Sequence, residues 1–249
     1  MEYFQVESCG RTLRGCVSKG GASDNKTLPL IIVHGYFSAN RNGPQRLFVE
    51  LAECLSRMGY AVYRFDLSGM GESGGNIADI KFDDHVNDVK TMLQYVKSKH
   101  IGKKINILAH SLGCNLVLAA LKQQSHVVDK IVFLAPFITN DQTLINVFGQ
   151  DGKRELIEKS YTIRRGLYAD VSYFKSSTET EFIGSVNSAA AKIYMLIAND
   201  DQFIPIDLTK AVVAEIKNAD VCFVDNADHN FLELHSRVKN TIAEIFETC

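Results

Sequence analysis

Ser111 stands in Ile105-Asn106-Ile107-Leu108-Ala109-His110-Ser111-Leu112-Gly113, where an apolar run meets a helical pattern. The residues two before and two after it, Ala109 and Gly113, are both small. A serine placed this way is a candidate nucleophile. A sharp strand-to-helix turn strains its backbone, exposes the hydroxyl and tolerates only small neighbours against the adjoining strand and helix. The pattern is G-x-S-x-G with Ala109 in the first glycine position. A serine that merely caps the following helix would use the same residue type. The strand before it and the helix after it favour the nucleophile.

A hydroxyl is a poor nucleophile near neutral pH and needs an adjacent base that is itself held by a carboxylate. One recurring chain order for such a set is Ser, then Asp or Glu, then His. The apolar run at 193–198 ends directly at Asn199-Asp200-Asp201-Gln202-Phe203-Ile204-Pro205, so an acid falls at a strand end. Asp200 and Asp201 compete for the role, and an acidic turn that caps the next helix is the alternative for both. Asp201 is preferred because it lies four residues before Pro205, the spacing G-x-x-D-x-x-x-P usual at such a loop.

Seven histidines are available, at 34, 85, 100, 110, 126, 229 and 235. His110 adjoins the serine but is expected to point away from it across the turn. His100 and His126 sit at element ends and are expected to be solvated. His85 opens a helix, and His235 lies in the last helix and is expected to be exposed. His229, in Ala227-Asp228-His229-Asn230-Phe231, has the right order, follows the last expected strand and has small neighbours. It is the candidate base.

Leu30-Ile31-Ile32-Val33-His34-Gly35-Tyr36-Phe37 is a strand running into a tight loop. Such a loop supplies one backbone N–H to a developing oxyanion, and the residue after the nucleophile supplies the second. These are Tyr36 and Leu112. His34 is expected to hold the loop by hydrogen bonds. Asp66-Leu67-Ser68-Gly69-Met70-Gly71-Glu72-Ser73 superficially resembles a nucleotide-binding glycine loop. It does not follow the first strand as G-x-G-x-x-G and no P-loop lysine follows, so a structural turn beside the oxyanion loop is expected.

The elements that must carry these residues alternate. An opening hairpin spans 2–7 and 12–18. Apolar runs of strand length at 30–33, 61–65, 105–109, 130–134, 192–198 and 221–224 interleave with helical patterns near 44–58, 84–99, 112–124, 206–217 and 231–247. Near-continuous apolar strands alternating with helices imply a mostly parallel sheet covered on both faces. The alternation breaks between Phe137 and Ser188. These 52 residues hold 7 aromatic and 13 charged side chains, and a structureless loop of that length is unlikely in a compact domain. A small cap over residues 137–188 is therefore expected, inserted into a core formed by 1–136 and 189–249.

The 249 residues carry 27 Lys and Arg against 29 Asp and Glu, a net charge of -2. That balance argues against a nucleic-acid partner, which calls for a basic face to displace counterions. No apolar run approaches the roughly 20 residues of a membrane span, and Met1-Glu2-Tyr3-Phe4-Gln5-Val6-Glu7 lacks the apolar core of a secretory signal. The six cysteines form no C-x-x-C pair and read as reduced small core residues, which makes the cytoplasm the expected compartment.

Together, His34-Gly35-Tyr36, Asp66–Ser73, His110-Ser111-Leu112-Gly113, Asp201 with Pro205, and Asp228-His229 resemble the α/β-hydrolase superfamily across essentially the whole chain. The resemblance implies an eight-stranded sheet with its second strand antiparallel and a Ser-His-Asp triad. Gln45-Arg46-Leu47-Phe48-Val49-Glu50-Leu51-Ala52, Tyr63-Arg64-Phe65-Asp66 and Arg165-Gly166-Leu167-Tyr168-Ala169-Asp170 look like the small intracellular cinnamoyl and feruloyl esterases. In those enzymes the insertion builds the aromatic acyl pocket, which makes Phe37, Tyr161, Tyr168 and Tyr173 candidate pocket residues here. This chain departs from the pattern at Ala109, at Ser68 where an arginine is usual, and in its Ala-Asn-Asp-Asp acid loop. The expected chemistry is hydrolysis of a small-molecule carboxylic ester with no metal or organic cofactor. A thioesterase, an acyltransferase, a carbon–carbon bond hydrolase and a non-catalytic ligand receptor remain as alternatives.

Overall fold

The computed structural model describes residues 1–20, 27–36, 39–122, 127–164 and 167–247. A hairpin opens the chain, β1 (Glu2–Ser8) and β2 (Arg11–Lys19). Strands β3 (Leu28–Val33), β4 (Tyr60–Phe65), β5 (Ile105–His110), β6 (Val128–Leu134), β9 (Lys192–Ala198) and β10 (Ala219–Val224) follow, and between them run α1 (Leu47–Arg57), α2 (Phe82–Lys99), α3 (Leu112–Leu121) and α7 (Ile206–Ala214), with α8 (His235–Glu247) last. Every apolar run read from the sequence is a strand. The helices start and stop within a few residues of their expected ends.

The eight strands lie in the order β1-β2-β4-β3-β5-β6-β9-β10. β2 runs antiparallel to both β1 and β4, and the other pairs are parallel. The alternation of side chains along each strand divides the interior into two layers. Ile31 and Val33 of β3 face a core shared with Val89, Leu93 and Val96 of α2 and Leu116 and Val117 of α3. Leu30 and Ile32 face the other core, shared with Leu47, Leu51 and Leu55 of α1 and Val238, Ile242 and Phe246 of α8. The spacing of four along α1 and α8, and of four and three along α2, puts those side chains on one helix face. Burying each contributes about 1.5–3 kcal/mol.

The stretch 137–188, which shows no clean strand–helix unit in sequence, folds into α4 (Asp141–Lys159), a hairpin of β7 (Tyr161–Arg164) and β8 (Leu167–Asp170), α5 (Val171–Lys175) and α6 (Glu179–Ser188). α4 was illegible as an amphipathic helix because it buries only Thr143, Phe148, Gly152 and Leu156 and is kinked at Gly149, whose φ is 73°. The short segment β8–α5 is fastened to the start of α2. Lys81 pairs with Asp170, the Phe82 N–H donates to Ser172 Oγ at 3.2 Å, and Tyr173 meets His85 Nδ1 at 2.9 Å. Because β3, β5, β6, β9 and β10 are parallel, their C-terminal loops gather at one edge of the sheet, where sites of open α/β sheets form.

Candidate active site

Ser111 occupies the turn between β5 and α3 with φ 54° and ψ -127°. A non-glycine residue at positive φ is strained by about 1–3 kcal/mol and persists only where its surroundings enforce it. The turn is enforced by Ser111 N–H to Leu134 O at 2.9 Å and by Cys114 N–H to Ser111 O at 3.1 Å. Gly113 permits it. A Cβ at that position would stand 2.6 Å from His34 O and 2.8 Å from Val33 O, both backbone atoms. The end of β3 therefore lies directly against the first turn of α3. Ser111 makes no capping hydrogen bond with its side chain, which leaves its hydroxyl for another partner.

That partner is His229, which the loop after β10 carries over the turn. His229 Nε2 lies 2.8 Å from Ser111 Oγ, and Nδ1 lies 2.6 Å from Asp201 Oδ2. A carboxylate can only accept, so Nδ1 carries the proton and Nε2 is free to accept from the serine hydroxyl. Asp201 is oriented in turn, because its Oδ1 accepts the N–H of Phe203 at 2.8 Å and of Ile204 at 2.9 Å. Asp200, the competing acid, is directed elsewhere. Its N–H donates to Ala227 O at 2.9 Å, and Asp200 is exposed at the loop surface.

Three further histidines surround this relay. His110 does not point away from the site, as its adjacency to Ser111 suggested. Its Nε2 donates to the His229 carbonyl at 2.9 Å, and the two rings sit 5.2 Å apart. Sequence offers no signal for this contact, because its partners are 119 residues apart. Burial, reinforced by the neighbouring His229, pushes the His110 pKa down to about 3. His34 holds the loop after β3: Nδ1 donates to Gly35 O at 2.7 Å and Nε2 accepts the Leu67 N–H at 3.0 Å. His85, in the first turn of α2 as expected, is fully buried. Its Nε2 donates to Ser68 O at 2.8 Å, so its Nδ1 must accept the Tyr173 hydroxyl. Burial lowers both the His34 and the His85 pKa to about 4. His100, expected in solvent, is buried against the Tyr63 hydroxyl at 2.9 Å. His126 lies outside the described residues, and His235 is half-buried near Glu50.

The turn at 66–73 is a brace. Asp66 is fully buried, pairs with Arg41 of the loop after β3 and accepts the N–H of Arg41 at 2.7 Å and of Glu72 at 3.0 Å.

A cavity of about 380 Å³ opens onto Ser111 and His229. Tyr36 and Leu112 line it beside the serine. Much of the remaining wall is apolar, with Phe48, Phe137, Val147, Phe148, Leu167, Phe174 and Phe203. The tyrosines expected there are elsewhere. Tyr173 is fully buried beneath the site, with its ring 4.6 Å from that of Tyr36. Tyr161 is 42% exposed and stacks on Tyr168 at 5.6 Å, away from the cavity. Phe37 lies outside the described residues. A buried tyrosine hydroxyl needs a polar partner, which His85 supplies, whereas phenylalanine can line a wall without one. Among the described residues, no group of three or more His, Cys, Asp or Glu side chains is placed to hold a metal ion, and no helix is long and apolar enough to cross a membrane.

The serine aminopeptidase S33 family pattern matches residues 25–158, a little over half of the chain, including Ser111. Palmitoyl-protein thioesterase ABHD10, mitochondrial, of Mus musculus is 26% identical over 217 residues, which cover 84% of this chain and 71% of that protein. Among solved structures, Est1E from Butyrivibrio proteoclasticus with ferulic acid bound superposes with a TM-score of 0.80 at 17% identity, covering 98% of this chain and 97% of the other. Alpha/beta hydrolase domain-containing protein 10 from mouse superposes with a TM-score of 0.72 at 19% identity, covering 99% of both chains. At those identities the superpositions establish the fold alone. The family pattern, which matches more than half of the chain, places it in the serine aminopeptidase S33 family, and the eight-stranded sheet and the superpositions give it the α/β-hydrolase fold.

Proposed function

We propose that this chain is a serine hydrolase that cleaves carboxylic esters or thioesters of small to medium acyl or aryl groups through an acyl-enzyme. The observation that carries this reading is the relay from Ser111 Oγ to His229 Nε2 at 2.8 Å and from His229 Nδ1 to Asp201 Oδ2 at 2.6 Å, opening onto an apolar cavity. Ser111 Oγ attacks the carbonyl carbon while His229 Nε2 takes the hydroxyl proton. Asp201 keeps the productive tautomer and stabilises the imidazolium. The Tyr36 and Leu112 N–H groups receive the charge that develops on the carbonyl oxygen, and one such donor contributes about 2.7–4 kcal/mol in the transition state. His229 then returns its proton to the leaving alkoxide or thiolate. Water, deprotonated by His229, attacks the acyl-enzyme, releases the acid and restores Ser111.

Residues 137–188 serve in this reading as the cap over a core of 1–136 and 189–249, because Phe137, Val147, Phe148, Leu167 and Phe174 of that segment line the cavity. A volume of about 380 Å³ lies toward the small end of ligand pockets, which span about 300–1,000 Å³. That favours acyl or aryl groups of modest size. The thioesterase name of the mouse relative supports extending the reading from esters to thioesters, since the same acyl-enzyme serves both leaving groups.

The test is hydrolysis of p-nitrophenyl esters from acetate to decanoate, of methyl ferulate and of an acyl thioester, by wild type and Ser111→Ala, with fluorophosphonate labelling alongside. Wild type should turn over at least one ester and label at Ser111, and Ser111→Ala should lose about a thousandfold or more. A wild type no faster than Ser111→Ala on every substrate, and unlabelled, would show the reading to be wrong.

A further inference from the structure

Besides its histidines, the cavity wall carries one charged side chain among the described residues, Arg164 at the end of β7. It is held from behind. Arg164 Nη1 donates to Glu155 Oε2 and to the Ile163 carbonyl, both at 2.9 Å. Among the described residues, Nε and Nη2 have no hydrogen-bond partner. Glu155 does not cancel the charge of the cluster. It also accepts from Lys159 at 3.5 Å and from the Thr162 hydroxyl at 2.6 Å, so one carboxylate faces two cations and the group keeps a net charge of +1.

The main chain makes room for this arrangement. A Cβ at Gly152 of α4 would fall 3.2 Å from Arg164 Nε and 2.6 Å from Phe148 Cβ. The absence of a side chain at 152 lets the guanidinium lie close against the helix. Around it the wall is apolar, formed by Val147, Phe148, Leu167 and Phe174. A guanidinium fixed on one edge and open on the other presents the planar fork that matches a carboxylate. The Arg164 side chain stays 32% exposed, so its open edge is accessible to an incoming anion.

We propose that Arg164 binds a carboxylate of the substrate, so that the esters or thioesters this chain cleaves are acidic ones. This rests on the serine hydrolase reading and narrows its substrate class. Guanidinium and carboxylate would meet at the cavity wall, beside the apolar side chains that line it.

Two ester pairs test this. Monomethyl adipate against methyl hexanoate places the carboxylate on the acyl side, and 4-carboxyphenyl butyrate against phenyl butyrate places it on the alcohol side. The readout is the ratio of kcat/KM within each pair, for wild type, Arg164→Gln and Arg164→Lys. Wild type should prefer the acidic member of one pair by about 10- to 100-fold, as expected for a charge-assisted hydrogen bond. Arg164→Gln should bring that ratio to within about threefold of unity, while Arg164→Lys keeps part of it because the charge remains and the fork does not. No preference in either pair overturns the proposal. So does an equal loss on acidic and neutral members, the outcome of a residue that only braces β7 against α4. Calorimetric binding of monomethyl adipate and 4-carboxyphenyl butyrate to Ser111→Ala, with and without Arg164→Gln, separates the two readings. Arg164-dependent binding without hydrolysis by wild type keeps the anion site and removes the hydrolase. Hydrolysis by wild type with no dependence on Arg164 does the reverse.

Discussion

Replacing Asp201 by asparagine should abolish the rate while sparing the fold, for a reason visible in its contacts. Oδ1 accepts two backbone N–H groups, from Phe203 at 2.8 Å and Ile204 at 2.9 Å, and Oδ2 takes the His229 Nδ1 proton at 2.6 Å. Only an oxygen can accept the two N–H groups, so the amide oxygen must take the Oδ1 place and the amide NH2 must face His229. A donor there forces Nδ1 to accept and moves the imidazole proton to Nε2, which then cannot take the proton of Ser111. The loss expected from a wrong tautomer is about 10⁴-fold in kcat, or about 5 kcal/mol at 1.36 kcal/mol per factor of ten. Stability should change far less. Both backbone bonds persist, and weakening the third costs about 1 kcal/mol, or about 2–4 °C in Tm for a chain of this size. Asp201→Ala removes the acceptor altogether and should lower Tm further. The assay is p-nitrophenyl ester hydrolysis with thermal melts of all three proteins. A rate for Asp201→Asn within tenfold of wild type would refute the tautomer argument. A melting loss equal to that of Asp201→Ala would refute the assigned amide orientation.

Gly113→Ala should destabilise by about 1–3 kcal/mol, because the new methyl meets two backbone oxygens at the end of β3 that no side-chain rotation can relieve. Urea denaturation checks this, and the fluorophosphonate labelling rate should fall with it as β3 and the loop after it are pushed from Ser111. Tyr173→Phe should cost about 1–3 kcal/mol by stranding the buried Nδ1 of His85, and a melt indistinguishable from wild type would count against that hydrogen bond. Acid should weaken the fold well above the carboxylate range. His34, His85 and His110 have pKa values lowered by burial to about 4, about 4 and about 3 from 6.5, so the unfolded chain binds protons that the native chain refuses. Their stabilisation is complete above pH 6.5 and is lost as pH falls toward 4. At pH 5 each accounts for about 2 kcal/mol, from 1.5 units at 1.36 kcal/mol per unit. Equal denaturation midpoints at pH 7 and pH 5 would contradict this.

Much of the scaffold was legible in the sequence. Parallel strands buried on both faces need unbroken apolar runs, and such runs mark β3, β5, β6 and β9 without ambiguity. Ser111, His229 and the acid loop could be located because each sits on a turn at a strand end, where local residue sizes are constrained and chain order suffices. Spacing alone preferred Asp201 to Asp200, and the Phe203 and Ile204 N–H groups supply the physical reason.

What the sequence left undecided depends on which side chains of one type face which partner. Three tyrosines and four phenylalanines of the segment 137–188 are equivalent in composition. The structure sends Tyr173 to a buried histidine, leaves Tyr161 and Tyr168 stacked outside, and turns Phe137, Phe148 and Phe174 to the cavity. The turn of His110 toward His229 and the bracing of Arg164 by Glu155 arise in the same way. The sequence by itself determined the strands, the order of Ser111, Asp201 and His229 and the turns that hold them, because those follow from local periodicity and residue size. Only the tertiary structure decided the pocket wall and the buried histidine partners, because those contacts join distant segments and are selected by packing and by the need of each buried polar atom for a partner.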